Sequence, residues 1–267
     1  MHTLFIIQII TAFIVGGAFI ALLSLIAEKA PQKTAGIFLT LPSTVMISFV
    51  FMSWATSAES TAAIVPSTLI PMATSMIFGI TYGKMAATLE NKIQSKAKQI
   101  LISYLVAIST WLVIAIPIAT YQINNLALGL TGWILITIIA HLILKNTGNL
   151  KAPSRKYSIP QIMGRSIFAG TIVGLTVLLA KLVNPFWGGI FAMFPAAFSS
   201  SLIIFHWYYK PSTLLAILQK APLGSLGMLI FTTSVIFTFP KFGFIAGTIA
   251  SYLLSLATAG ILIKLLK

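Results

Sequence analysis

Nine stretches of this chain are long, apolar and almost free of charge, and this constrains its fold more than any other feature. They fall near 3–27, 34–55, 60–83, 98–120, 122–145, 165–183, 187–209, 212–238 and 242–265. A helix of about 20 apolar residues crosses a hydrocarbon core of about 30 Å. The pattern therefore predicts an all-α polytopic membrane protein with about nine transmembrane helices. Only 7% of the 267 residues are charged, against roughly 25% in soluble domains. The breaks carry loop chemistry, as in "EKAPQK", "ENKIQSKAK" and "KNTGNLKAPSRKYS".

The net charge of +14 belongs to this topology and not to a nucleic-acid footprint. Basic residues mark cytoplasmic loops. Fourteen of the seventeen cations fall on one side of the nine spans: Lys29, Lys33, Lys84, Lys92, Lys96, Lys98, Lys145, Lys151, Arg155, Lys156, Arg165, Lys210, Lys264 and Lys267. Lys181 and Lys241 fall on the other, and Lys220 lies inside the eighth span. The N-terminus is thus expected outside and the C-terminus in the cytoplasm, in the cell inner (cytoplasmic) membrane. The first span lacks a basic leading region and is followed by Lys29, so it reads as a retained helix, not a cleaved signal.

The chain also repeats itself. "GIFLTLPSTVMISFVFMSW" begins at Gly36 and "GIFAMFPAAFSSSLIIFHW" at Gly189. At an offset of 153, eight of 29 positions between 36–64 and 189–217 are identical, including Gly36/Gly189, Pro42/Pro195, Ser48/Ser201 and Trp54/Trp207. Gly17/Gly170, Leu22/Leu175, Leu25/Leu178 and Ala27/Ala180 extend the register upstream. An offset of five spans is odd, so the copies cross the membrane in opposite directions. The expected organisation is a 4+1+4 inverted repeat: 1–120, a connector helix and basic loop over 121–164, and 165–267. Inverted repeats characterise secondary transporters, whose sites lie near the midplane between broken helices.

Pro42 and Pro195 each fall about 12 Å into a span at 1.5 Å per residue. Each proline removes a donor and frees the carbonyl four residues back, here those of Phe38 and Phe191. Ser43, Thr44, Thr40 and Ser48 are near one break, and Ser199, Ser200 and Ser201 near the other. Pro66 and Ser67, with Pro71, interrupt the third span, and Pro222 the eighth. Lys220 and Gln219 complete the candidate substrate site. Lys220 either faces an anionic group in a cavity or, if the span starts near Ala221, snorkels to the surface.

The chemistry that is missing narrows the function. With no Cys and three carboxylates (Glu28, Glu59 and Glu90), the sequence offers no metal-ligand spacing, and no cofactor is expected. No nucleophile–base arrangement or phosphate loop is present, so no enzyme is expected. The carboxylates read as interface charges, and His141 and His206 as interface or packing histidines, not proton relays. The expected substrate is anionic or amphiphilic, with H+ or Na+ as a possible coupling ion and membrane lipids as partners. A flippase for an anionic lipid or polyprenyl-phosphate carrier, or a scaffold for envelope assembly, are the alternatives.

"GGIFAMFPAAFSSSLIIFHWYYKPSTLLAIL" and "AEKAPQKTAGIFLTLPST" resemble the core of the GlpM-like family of small four-span bacterial inner-membrane proteins. The resemblance implies a membrane location and a four-span unit, here doubled and fused through span 5.

Overall fold

A computed structural model describes residues 2–29, 42–147 and 158–265, and every element among them is a helix. In chain order these are α1 (His2–Lys29), α2 (Ser43–Ala55), α3 (Ala58–Ala63), α4 (Val65–Leu89), α5 (Lys96–Thr120) and α6 (Leu126–Leu144). Then follow α7 (Ile159–Leu182), α8 (Pro185–Ala192), α9 (Ala196–Tyr208), α10 (Pro211–Leu218) and α11 (Ala221–Leu265). Five of them, α1, α5, α6, α7 and α11, contain stretches long and apolar enough to cross a membrane, as a multi-pass membrane protein requires. Of the residues singled out above, Lys33, Gly36, Phe38, Thr40, Lys151, Arg155, Lys156 and Lys267 lie outside the described residues.

The helix starts follow local chemistry. Ser57, Ser95, Asn125 and Asn184 each accept a backbone N–H of their own first turn, satisfying donors that a helix leaves open. Ser158 and Gln161 form a reciprocal capping box at the start of α7. Within α11, Gly243 has φ +71°, a conformation that costs other residues a clash at Cβ. The helix folds back there into arms 221–242 and 244–265. Thr238 and Ser251 hydroxyls meet at 2.7 Å across this hairpin, and Ser255 donates to the Gly227 carbonyl at 2.8 Å.

The core centres on α4. Most of its residues are buried, including Leu69, Met72, Phe78 and Tyr82. Because α4 faces protein on nearly all sides, it tolerates hydroxyls that a lipid-facing helix would not. Ser67, Thr68 and Thr74 turn those hydroxyls onto carbonyls of their own helix or its first turn. By contrast α1 and α6 expose rows of Leu and Ile, among them Leu4, Ile10, Ile14, Leu135, Ile138 and Leu142, the surface a lipid solvent asks for.

The most extensive helix–helix contact joins α1 to α7. Glycines set its distance of approach. A Cβ on Gly17 would lie 2.8 Å from the Ser166 carbonyl oxygen, and one on Gly170 still closer to that of Phe13. Gly174 meets Ile9 and Phe13 one turn further on. Contacts that advance along α7 while retreating along α1 make the crossing antiparallel. The two tightest are mutual images: adding 153 to 13 and 17 gives 166 and 170. Helix limits follow the same offset. Adding 153 to 43, 55 and 58 gives 196, 208 and 211, both ends of α9 and the start of α10.

Candidate functional site

Two short helices begin at the matched prolines. Pro42 precedes α2 with φ −76° and ψ 44°, and Pro195 precedes α9 with φ −74° and ψ 54°. Both helices have 13 residues, and no side chain caps either start. Both prolines are buried. Helix N-termini carry partial positive charge, so the two helix starts present similar electropositive ends inside the protein. The Phe191 carbonyl that Pro195 frees accepts the Phe194 N–H at 2.9 Å.

The second break is held by the first half of the chain. Ser75 on α4 donates to the Met193 carbonyl at 3.2 Å. Trp111 on α5 packs edge-on against Phe194 and Phe191 and donates its indole N–H to the Pro71 carbonyl at 3.0 Å. Ser199, fully buried, lies beside the Tyr104 phenol of α5, and Ser200 donates to the Ala196 carbonyl. Ser43 and Thr44 are half-buried in the first turn of α2.

The remaining sequence-derived site residues sit elsewhere. Pro66 is the second residue of α4 and Pro222 the second of α11, where the missing N–H would have no helical partner anyway. These two prolines start helices, whereas Pro71, Pro117 and Pro240 lie inside them. Ser67 receives Asn124 Oδ1 on its N–H at 3.1 Å, while Asn124 Nδ2 donates to the Ala63 carbonyl at 2.8 Å. Asn124 thus caps α4 from the α5–α6 turn. Asn124→Ala is expected to lower stability by about 1 kcal/mol, read as a shift in the unfolding midpoint in detergent, with Asn124→Asp retaining part of the cap.

Lys220 is exposed in the junction between α10 and α11, and the neighbouring Gln219 donates to the Lys145 carbonyl at 3.0 Å. The helix that follows does start at Ala221. Gln219 and Lys220 therefore lie at the Lys145 end of α6, Pro66 and Ser67 at its Asn124 end, and Pro195 with Ser199 between α4 and α5.

A cluster with no counterpart in the sequence reading lies between α4, α5 and α9. The Tyr82 hydroxyl is 3.1 Å from His206 Nδ1, and His206 Nε2 is 3.3 Å from Gln99 Oε1. Gln99 Nε2 donates in turn to the Ile93 carbonyl. Tyr82 and His206 are fully buried and Gln99 nearly so. The amide fixes the tautomer: Oε1 can only accept, so Nε2 carries the ring proton and Nδ1 accepts from Tyr82. One turn deeper on α5, the Ser103 hydroxyl is buried without a hydrogen-bond partner. The signal for this cluster was the spacing Gln99–Ser103–Ala107–Trp111, a buried stripe at every fourth residue.

Among the described residues no three His, Cys, Asp or Glu come together as metal ligands. Residues 9–126 match the sequence model of a family described as a protein of unknown function (DUF3147). No curated protein and no solved structure matches the chain.

Proposed function

We propose that this protein is a secondary transporter of an anionic or amphiphilic small substrate, working by alternating access between two inverted halves. The observation that carries the reading is the pair of proline-led helices: matched positions, nearly equal backbone angles and 13 residues each. Half-helices that start within the membrane, with their positive ends toward the substrate, are a recurring transporter device. The antiparallel, mutually imaged α1–α7 contact supports opposite insertion of the halves. The α11 hairpin supports counting its arms separately, which brings the spans to nine when α3 counts with α4, α8 with α9 and α10 with the first arm of α11. The family match over 9–126 spans one four-helix unit and supports its independence, as does the GlpM-like resemblance. The fourteen-to-two cation bias supports an outside N-terminus in the cytoplasmic membrane. On this reading the substrate's anionic group sits between Pro42 and Pro195, near Ser43, Thr44, Ser199 and Ser200, and the exposed Lys220 acts at the cytoplasmic mouth.

The test is uptake of a panel of radiolabelled organic anions into proteoliposomes. Pro42→Ala and Pro195→Ala, each restoring the N–H that its proline lacks, are expected to lower uptake at least about tenfold, the effect of about 1.4 kcal/mol on a transport barrier. Uptake at the level of protein-free liposomes for the whole panel would refute the reading. One observation favours the flippase alternative. An apolar groove of about 490 Å³, lined by Ile9, Ile10, Phe13, Leu175 and Leu178, opens between α1 and α7. Scrambling of a fluorescent anionic lipid in the same proteoliposomes, without anion uptake, would select it.

A further inference from the structure

The buried Tyr82–His206–Gln99 cluster joins the two halves of the chain, since Tyr82 and Gln99 belong to the first and His206 to the second. We propose that this cluster is the cytoplasmic gate of the transporter and that His206 is the site where the coupling ion, a proton, binds when the gate opens. The proposal rests on the transport reading above and deepens it by choosing H+ as the coupling ion.

Three observations support it. First, the cluster lies where a gate belongs. α9 runs from the Pro195 break to Tyr208, and its last turn meets the first turn of α5 and the last turns of α4. Behind it, toward the break, stand the buried hydroxyls of Ser103 and Ser199. A polar track thus runs from the Gln99 end of α5 to the Pro195 break. In a lipid-embedded protein, buried polar residues in such a line mark ion and proton pathways.

Second, the closed cluster has room for one ring proton only. Gln99 Oε1 takes the Nε2 proton and Tyr82 supplies Nδ1 with its own. A second proton on Nδ1 reverses the Tyr82 bond, so that Nδ1–H donates to the phenol oxygen and the phenol proton loses its acceptor inside the cluster. Apart from Glu90, the charges on the elements packed against α9 are cationic: Lys84 on α4, Lys96 and Lys98 on α5, Arg165 and, at the far end, Lys181 on α7, and Lys210 beyond α9 itself. Glu90 is exposed at the end of α4. An imidazolium inside the closed, fully buried cluster would lose its hydration, whereas water in the open gate would restore it. A proton from cytoplasmic water accordingly favours the open state, and its release returns Tyr82 to donating to Nδ1 in the closed cluster.

Third, the equivalent outer position is not titratable. Subtracting 153 from 206 gives Ser53, whose hydroxyl donates to Thr61 at 2.8 Å. Tyr82 corresponds to Val235 and Gln99 to Tyr252. The proton thus acts on one face of an otherwise repeated structure, which is what directional coupling needs.

The chain contains no Cys, so Ser103→Cys in the full-length protein reports access past the gate. Its labelling by a water-soluble maleimide is measured in inside-out membrane vesicles, where the cytoplasmic face is exposed. Rates are divided by those of the exposed Lys98→Cys to remove the thiol's own pH dependence. Between about pH 8 and about pH 5.5, the range where histidine titrates in water, the normalised rate is expected to rise about tenfold. His206→Gln, whose neutral amide can bond both neighbours, should abolish that rise. In Tyr82→Phe, which lacks the closing hydroxyl, the rise should begin at higher pH. A pH-independent rate at Ser103→Cys, a rise that persists in His206→Gln, or an unshifted profile in Tyr82→Phe each overturns the proposal. The labelling needs no transported substrate. pH-dependent labelling without flux of any solute would end the transport reading and leave the gate, while flux with pH-independent labelling would do the reverse.

Discussion

Gly170→Ala is expected to destabilise the protein by about 1–3 kcal/mol, while Gly164→Ala, less than two turns away on the same helix, does so not at all. A methyl at Gly170 runs into the Phe13 carbonyl oxygen, which is backbone and cannot rotate away. The helices must separate, and the separation removes packing along the whole α1–α7 contact. In lipid, close approach at small residues is the main force holding helices together, because lipid tails solvate apolar side chains as well as a neighbouring helix does. A Cβ at Gly164 meets nothing within 4 Å, and alanine is the better helix former by about 1 kcal/mol. Gly17→Ala should resemble Gly170→Ala, since its Cβ would stand 2.8 Å from the Ser166 carbonyl oxygen. The double variant should cost less than the two single costs combined, because helices already forced apart accommodate the second methyl. Unfolding midpoints in one detergent across the four variants check all of these expectations.

Trp111→Ala is the larger loss, about 3–5 kcal/mol. Trp111 is fully buried and touches both rings that flank the Pro195 break, Phe191 and Phe194. Its indole N–H also bonds the Pro71 carbonyl. Truncation empties a large volume at the centre of the bundle and leaves that carbonyl without its indole donor. Trp111→Phe separates the two effects: it keeps a ring against Phe194 but loses the hydrogen bond, for roughly 1–2 kcal/mol. If Trp111 fixes the break as well as filling space, Trp111→Phe also lowers anion uptake while the protein remains folded, and the two readouts together check the assignment.

Much of the helical framework was legible in the sequence, and the reason is physical. Runs such as 98–120 and 122–145 are apolar because lipid surrounds them, and caps such as Ser95 and Asn125 mark their ends. The offset of 153 was legible through Gly17/Gly170 and Pro42/Pro195, residues chosen for backbone geometry more than for apolarity. Gln8/Gln161 belongs to the same register. Both amides reach the far end of a 13-residue helix, Gln8 the Trp54 carbonyl of α2 and Gln161 the Tyr208 hydroxyl of α9.

What was not legible depends on neighbours. Hydropathy reports whether a helix faces lipid but not which helix it touches. His206, beside Trp207, therefore reads as an interface residue, although its ring points inward to partners 124 and 107 positions away. Lys220 reads as a buried cation if the eighth span is continuous. The break between Leu218 and Ala221 instead places it at an exposed junction. The serines and threonines of α4 read as an interruption of an apolar span, but they belong to the most enclosed helix, where back-bonding to carbonyls replaces solvation.

Opposite insertion of the two halves is the claim on which the site, the gate and the coupling rest. Single cysteines at Glu59, exposed in α3, and at Lys210, exposed just before α10, test it in intact cells with a membrane-impermeant maleimide. The account predicts that Glu59→Cys is labelled from outside and that Lys210→Cys is labelled only after the membrane is opened. Labelling of both from the same side would contradict it.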